Sequence, residues 1–422
     1  MSPRVTNYIN RFRGFSRNTK LLLLSAFFGS IGPAVIWLLL NFYFQALGYS
    51  ETLIGWLNAI PFWTTALSGI PIGLISDRLP RKVMLIAATA LIAVGNIGIA
   101  FLASPVMLIF FSVLVGLGFT TLLANTSPFL AENSTMKQRT VIFSVQAALT
   151  TATGFIGNLL GGHFPEIFSL WLGGQPHDVW PLRWTLGMVA GLQWVAVFPL
   201  LLISSEKQTL EKQEWRLEHP KLFVKMLLPS MIIGLGAGQV MPYLNVFVKG
   251  KFNISFEELG WLFALSSLVT ALGMLLQPLL ADRFGKVRSV IIVQIISMPF
   301  LLMLGFSPFF FLTALAFLVR GMLMNMANPV YMAFCMERLS KRERATFSGA
   351  YEVVWSVGWA SSAAFSGWWR DQVGFDAGFN TAFSITTTCY VLATFLLYWF
   401  FARHEQAPAK RKVFPSYPPA QE

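Results

Sequence analysis

Two ionisable side chains stand inside apolar runs, where a charge is costly. Arg320, in Phe317-Leu-Val-Arg320-Gly321-Met-Leu-Met, lies 12 residues past Pro308. At about 1.5 Å per residue a helix carries it about 18 Å from that end, near the middle of a hydrocarbon layer about 30 Å thick. A cation there costs at least about 2.5 to 3.5 kcal/mol. It therefore calls for a water-filled cavity, an anionic group on a bound solute, a carboxylate on a neighbouring helix, or backbone carbonyls. Glu352, in Gly349-Ala-Tyr351-Glu352-Val-Val-Trp355, sits about two turns into another apolar run. It is the one clearly embedded carboxylate, since Glu132 falls at the end of its run. It could exchange a proton or pair with a nearby base such as Arg344. The depths estimated for Arg320 and Glu352 differ, so no pair between them is assumed.

The remaining chemistry is neutral. Trp37, Asn41, Asn125, Gln146, Gln239, Tyr243, Asn245, Asn325 and Asn328 all fall within apolar runs. Aromatic and amide groups with few charges suit an amphipathic or weakly charged ligand. Each amide could equally hydrogen-bond a neighbouring helix. Cys335 and Cys389 both lie in apolar runs, and the four histidines, His163, His177, His219 and His404, show no paired ligand spacing. No disulfide framework, metal centre or cofactor is expected. No cluster of His, Asp or Ser has catalytic spacing at a membrane face, so the chain reads as no enzyme.

The elements that position these residues follow from composition. Of 422 residues, 55% are hydrophobic and 12% charged, with mean hydropathy +0.61. Soluble domains carry about 25% charged residues, so a soluble enzyme or nucleic-acid-binding protein is excluded. Twelve apolar runs appear, at 21–45, 53–75, 83–103, 105–131, 141–163, 183–204, 222–248, 258–280, 289–306, 308–336, 346–368 and 377–402. The first is too long for a signal-peptide core and is read as a retained span. Twelve alternating spans put 26 of the 31 Lys and Arg residues on one side. The positive-inside rule makes that side cytoplasmic, with both termini and the middle loop. The net charge of +12 is thus a sidedness signal rather than a nucleic-acid footprint.

The chain also repeats itself. Residues 50–78 placed over 255–283, an offset of 205, share Ser50, Gly55, Trp56, Leu57, Ala59, Thr65, Ala66, Leu67, Leu74, Asp77 and Arg78 with their counterparts, 11 of 29. Asn41 meets Asn245 with one inserted residue, and Arg139 meets Arg344. The expected fold is all-α and membrane-embedded, with 12 transmembrane helices in two pseudo-symmetric six-helix bundles. The divisions are an N-terminal bundle over 1–203, a cytoplasmic linker over 204–220, a C-terminal bundle over 221–403 and a tail over 404–422. The linker could form an amphipathic surface helix around Trp215, and Phe164 to Pro181 reads as the longest outer loop.

Two loops carry a motif. Between spans 2 and 3 stands Gly69-Ile-Pro-Ile-Gly73-Leu-Ile-Ser-Asp77-Arg78-Leu-Pro80-Arg81-Lys82, and between spans 8 and 9 Pro278-Leu-Leu-Ala-Asp282-Arg283-Phe-Gly285-Lys286-Val287-Arg288. An acidic helix end beside a basic turn can bond a neighbouring helix in one conformation and release it in another. The chain resembles the major facilitator superfamily, whose signature G-x-L-a-D-r-x-G-r-k occupies this loop, with a weaker copy in the second half. The resemblance runs over residues 21–402. Pro80 departs from the expected glycine and Val287 interrupts the second copy. The resemblance implies a cytoplasmic gate at Asp77, Arg78, Arg81, Lys82, Asp282, Arg283, Lys286 and Arg288. Span 5 carries Gly154-Phe-Ile-Gly157-Asn158-Leu-Leu-Gly161-Gly162, similar to the family's antiporter motif with Asn158 in place of proline. Gly154, Gly157, Gly161 and Gly162 are expected to pack helices closely.

The resemblance implies spans 1, 4, 7 and 10 around a midplane cavity, and so a binding and coupling set of Arg320, Glu352 and the neutral residues named above. The function it implies is secondary transport of a small organic solute by alternating access, as a proton-coupled exporter or antiporter. The proton gradient would take the place of a cofactor. A lipid or lysolipid flippase on the same fold and a lipid-processing membrane enzyme are the alternatives. A small-molecule substrate, membrane lipids, no nucleic acid, a monomer and the cell membrane complete the expectation.

Overall fold

The computed structural model describes residues 14–204, 218–340 and 343–404. They form twelve long helices: span 1 Arg17–Ala46, span 2 Glu51–Ser76, span 3 Arg81–Phe101, span 4 Pro105–Glu132, span 5 Met136–Leu172 and span 6 Val179–Leu201. The second half follows with span 7 Pro220–Phe252, span 8 Phe256–Phe284, span 9 Lys286–Phe306, span 10 Phe310–Arg338, span 11 Glu343–Val373 and span 12 Phe375–Phe400. Among the described residues nine of these are long and apolar enough to cross a bilayer. Spans 5, 8 and 11 are the other three long helices, and all three line the contact between halves. Exposed apolar side chains such as Leu170, Trp171 and Phe311 face outward, as lipid contact requires.

Local chemistry sets the helix ends. Ser50 and Ser255, equivalent in the repeat, each cap the following helix by accepting a backbone N–H, from Leu53 and from Glu258. Span 7 is broken: Met241–Tyr243 is a 3-10 turn between two α segments, because Pro242 has no N–H to donate. The stretch after residue 163, expected as an outer loop, instead continues span 5 through Leu172. Its stop is Gly173 and Gly174, at φ 75° and 100°, a backbone that other residues adopt only with strain. The proposed surface helix around Trp215 lies outside the described residues.

Within the first half, span 1 packs on spans 5 and 6, and span 4 on spans 2 and 3. The second half repeats this, with span 7 on spans 11 and 12, and span 10 on spans 8 and 9. The halves meet through span 2 against span 11 and span 5 against span 8. Both crossings are glycine on glycine. A Cβ on Gly55 would stand 3.0 Å from Gly367 Cα, and one on Gly162 would stand 2.9 Å from Gly260 Cα. Gly55 and Gly260 are 205 apart, as are Gly162 and Gly367, so the duplication seen in the sequence places two equivalent contact points between the halves.

One end of the bundle carries loops 2–3 and 8–9 and is called the basic end; the opposite is the far end. Gly73 lies five full turns below Gly55 on the same face of span 2, about 27 Å toward the basic end. A Cβ on Gly55 meets span 11, whereas on Gly69 and Gly73 it meets open space. The halves touch at the far end and part toward the basic end.

Candidate functional site

The far end is closed by a polar layer. Asn41 Nδ2 donates to Pro242 O at 2.6 Å and to Asn245 Oδ1 at 3.2 Å, while Asn245 Nδ2 donates to Leu38 O at 2.8 Å. Asn58 Nδ2 donates to Asn41 Oδ1 at 2.8 Å. Above this layer Glu51 meets Arg370 at 3.0 Å, and Thr52 donates to Asp371 at 2.6 Å. Arg370 is buried, with its guanidinium 3.7 Å from the Tyr243 ring centroid. The Tyr243 hydroxyl donates to Ala363 O at 2.6 Å. His163 of span 5 and Glu257 of span 8 stand 3.5 Å apart at the same end. Lower down, at the level of the cavity, Asn158 Nδ2 of span 5 donates to Ser267 Oγ of span 8 at 3.4 Å.

Below the layer is a cavity of about 680 Å³. Its walls come from spans 1, 5, 7, 8, 9, 10, 11 and 12, so the second half supplies most of them. Trp37, Trp355, Trp359, Tyr351, Phe263 and Phe317 make it aromatic. Trp37 and Phe62 of the first half both pack on Trp359 of the second, with ring centroids 6.1 Å and 5.3 Å apart, forming the roof beneath the seal.

Among the described residues Arg320 is the single charged one in these walls, and it is 4% exposed. Its guanidinium lies 5.3 Å from the Tyr390 ring centroid, and Nη1 approaches Met241 Sδ at 3.6 Å. Nε and Nη2 have no hydrogen-bond partner. Among the described residues the carboxylate and carbonyl partners considered from sequence are therefore not there, and Arg320 stands in the wall of a cavity.

The other candidate residues separate into groups. Trp37, Asn325 and Asn328 line the cavity, where Asn328 Oδ1 accepts the Tyr351 hydroxyl at 3.0 Å. Gln146 lies one turn before Thr150 and is not a wall residue. Asn41, Tyr243 and Asn245 belong to the far-end seal, and Gln239, buried beside it, accepts the Ser366 hydroxyl at its backbone oxygen. Asn125 is fully buried near the basic end, where it donates to Ser76 Oγ and accepts from Arg81. Glu352 is exposed and is not a wall residue either. It lies 11 residues before Ala363, hence on nearly the same helix face, and that face meets Gly55 at the far end. Among the described residues Glu352 has no ion pair, and Arg344 bonds Leu339 O instead.

The basic loops repeat each other. Arg81 pairs with Glu132 at 3.5 Å, and Lys286 pairs with Glu337, each partner 205 residues on. Lys82 donates to Leu201 O, and Arg283 lies over the Phe284 ring. Among the described residues Asp77, Arg78 and Asp282 reach no side-chain partner across the halves, and Arg288 lies half-buried at the start of span 9. Gly157 packs on Ile31 and Ala34, Gly161 on Leu38 and Val35, and Gly154 near Ser267.

A group outside the candidate set ties the start of span 7 to the start of span 11. Glu343, at the basic-end tip of the span 11 helix and outside its apolar run of 346–368, accepts the backbone N–H groups of Glu218 and His219 at 2.8 and 2.9 Å, and that of Ser340. Burial works to raise its carboxyl, but these bonds and the His219 ring outweigh it and hold the group at about 2. Glu218, His219 and Glu343 form a compact acidic and imidazole group. The carboxylate there already serves N–H donors and anchors the end of the linker.

A duplicated twelve-helix bundle with a central cavity, sealed at one end by paired groups from both halves, defines a membrane transporter rather than an enzyme. The chain belongs to the Major Facilitator Superfamily, whose family model matches it twice, over residues 22–228 and 226–420. It is 24% identical over 292 residues to the multidrug resistance protein MdtG of Proteus mirabilis, a match covering 65% of this chain and 68% of that one. The Klebsiella pneumoniae MdtG is also 24% identical, over 62% of this chain and 61% of that protein. A D-xylose transporter of Levilactobacillus brevis is 24% identical over 36% of this chain and 34% of its own. Among solved structures, an inward-facing, occupied bacterial homolog of the human lysosomal transporter Spinster superposes with TM-score 0.75 at 16% identity, covering 93% of this chain and 98% of that one. The nucleoside transporter NupG gives TM-score 0.71 at 14% identity, over 92% and 99%. These two share the fold.

Proposed function

We propose that the chain is a monomeric, proton-coupled exporter of a small amphipathic organic solute in the cell membrane, captured here open to the cytoplasm. The observation that carries the reading is the aromatic cavity, roofed at the far end by bonds between the halves and, among the described residues, free of such bonds at the basic end. The excess of Lys and Arg makes the basic end cytoplasmic. The similarity to two multidrug resistance proteins favours export.

The cycle follows from the contacts. With the far end sealed, solute enters from the cytoplasm and packs on the aromatic walls. The halves then rock about the glycine crossings, so that the far-end bonds break and the basic end closes. Closure brings the Glu352 face of span 11 against the Gly69 and Gly73 face of span 2. A carboxylate enclosed there carries its charge at high cost, while one open to the vestibule does not. The closed form therefore holds a proton on Glu352, and the open form releases it to the cytoplasm. A proton taken up from the far side and released inside drives the return step, and Asp77 and Asp282 supply the gate's acidic ends.

The test is dye accumulation in cells with and without the protein, across a panel of fluorescent amphiphiles. Expression lowers accumulation of at least one dye, a protonophore abolishes the effect, and Glu352→Gln removes it at wild-type protein level. Unchanged accumulation of every dye, or export indifferent to the protonophore, contradicts the reading.

A further inference from the structure

We infer that the transported solute carries an anionic group, a carboxylate or sulfonate on a flat apolar body, and that Arg320 is the residue that binds it. The inference rests on the transport reading and names the substrate class of the same cavity.

Three observations converge. Arg320 is 4% exposed, yet two of its guanidinium nitrogens, Nε and Nη2, have no hydrogen-bond acceptor. Buried cations are ordinarily paired, and among the described residues no Asp or Glu lines the cavity. Glu352, the carboxylate of the transport cycle, is exposed and lies off the cavity on the face of span 11 that meets the first half. The field inside the cavity is therefore of one sign, and the low-polarity walls strengthen it.

The guanidinium is also held in place. Tyr390 lies under it at 5.3 Å and Met241 beside Nη1 at 3.6 Å. The unpartnered Nε and Nη2 are buried and form one side of a planar fork, the geometry that binds a carboxylate with two bonds. The same cavity is lined by Trp355 and Trp359, 6.1 Å apart, with Trp37 against the latter. Flat indole surfaces suit a planar hydrocarbon body, and the space of about 680 Å³ lies within the range of small-molecule sites. A cationic solute would meet the buried guanidinium with no carboxylate to balance it. The cavity thus selects against cations as well as for anions.

The test uses the purified full-length protein in detergent with three matched probes: 2-naphthoate, 2-naphthalenemethanol and 2-naphthylmethylammonium. Binding is read by tryptophan fluorescence and by thermal stabilisation. Wild type binds naphthoate at least tenfold more tightly than the alcohol and binds the ammonium most weakly. Arg320→Gln binds naphthoate and alcohol alike while keeping wild-type affinity for the alcohol, which shows an intact cavity. Arg320→Lys retains part of the preference. Equal binding of naphthoate and alcohol by wild type, tightest binding of the ammonium, or an undiminished preference in Arg320→Gln overturns the inference. If the preference holds but no dye is exported, the transport reading fails and the anion site stands. If dye export holds without the preference, the anion site alone falls.

Discussion

Asn41 and Asn245 hold the same position in the two repeats and bond each other at 3.2 Å across the far end of the cavity. Each also donates to the carbonyl three residues before its partner, Asn41 to Pro242 and Asn245 to Leu38. A pseudo-twofold axis passes between them. Replacing either with alanine leaves buried carbonyls unpaired, a loss of about 1 to 3 kcal/mol from the sealed form. Asn41→Ala and Asn245→Ala should each increase maleimide labelling of a cysteine placed at Thr52. The double variant should cost less than the sum of the two, because both remove the same bond.

The glycine crossings give a sharper steric prediction. A Cβ on Gly367 would stand 2.5 Å from Glu51 O and 2.6 Å from Gly55 Cα, both backbone atoms that cannot turn aside. Gly367→Ala should destabilise the far-end seal by about 1 to 3 kcal/mol, the usual cost of overpacking. It should move the protein toward the far-end-open form, read as faster far-end labelling at Thr52Cys. Gly73→Ala on the same face of span 2 meets open space in this conformation and should leave that labelling unchanged or lower it.

Glu343 predicts a pH dependence. Its carboxyl sits at about 2, below the ordinary 4.5. The folded state therefore binds its proton less readily than the unfolded chain does. The stabilisation is complete above about pH 4.5 and is lost as pH falls toward about 2. Glu343→Gln, which lacks the charge its N–H donors require, should lower stability at neutral pH by about 1.5 to 3 kcal/mol, as for a hydrogen bond to a charged group. Thermal unfolding of wild type and variant should converge as the pH is lowered through that window. A constant gap at every pH would place the effect in shape rather than charge.

Much of the fold could be read from the residues. Alternating apolar runs, the bias of Lys and Arg and the 205-residue offset carry helix number and duplication. The offset reaches as far as individual contacts, since Gly55 and Arg81 find their second-half equivalents in matching roles. The site was less legible because a span's place around the cavity does not say at which depth, or toward which helix, a side chain points. Asn41, Tyr243 and Asn245 occupy the spans expected to line the cavity, yet they lie above it, in the seal. Asn125 lies near the basic end, held by Arg81. The Glu51 and Arg370 lock was missed because both residues flank apolar runs and read as ordinary loop charges. Their one signal was opposite sign at the same end of spans 2 and 11. Arg320 was legible for the opposite reason, since a charge so deep in an apolar run has few alternatives to a cavity.

The most direct test of alternating access is the distance across the far end, measured by electron spin resonance between labels on Thr52→Cys and Asp371→Cys. The protein is reconstituted in lipid nanodiscs, with Cys335 and Cys389 replaced by alanine. Thr52 and Asp371 are hydrogen-bonded in the sealed form, so a short population is expected near neutral pH. Lowering the pH, or introducing Glu352→Gln, should enrich a second, longer population as the basic end closes and the far end opens. A single short distance at every pH and in Glu352→Gln would contradict the account.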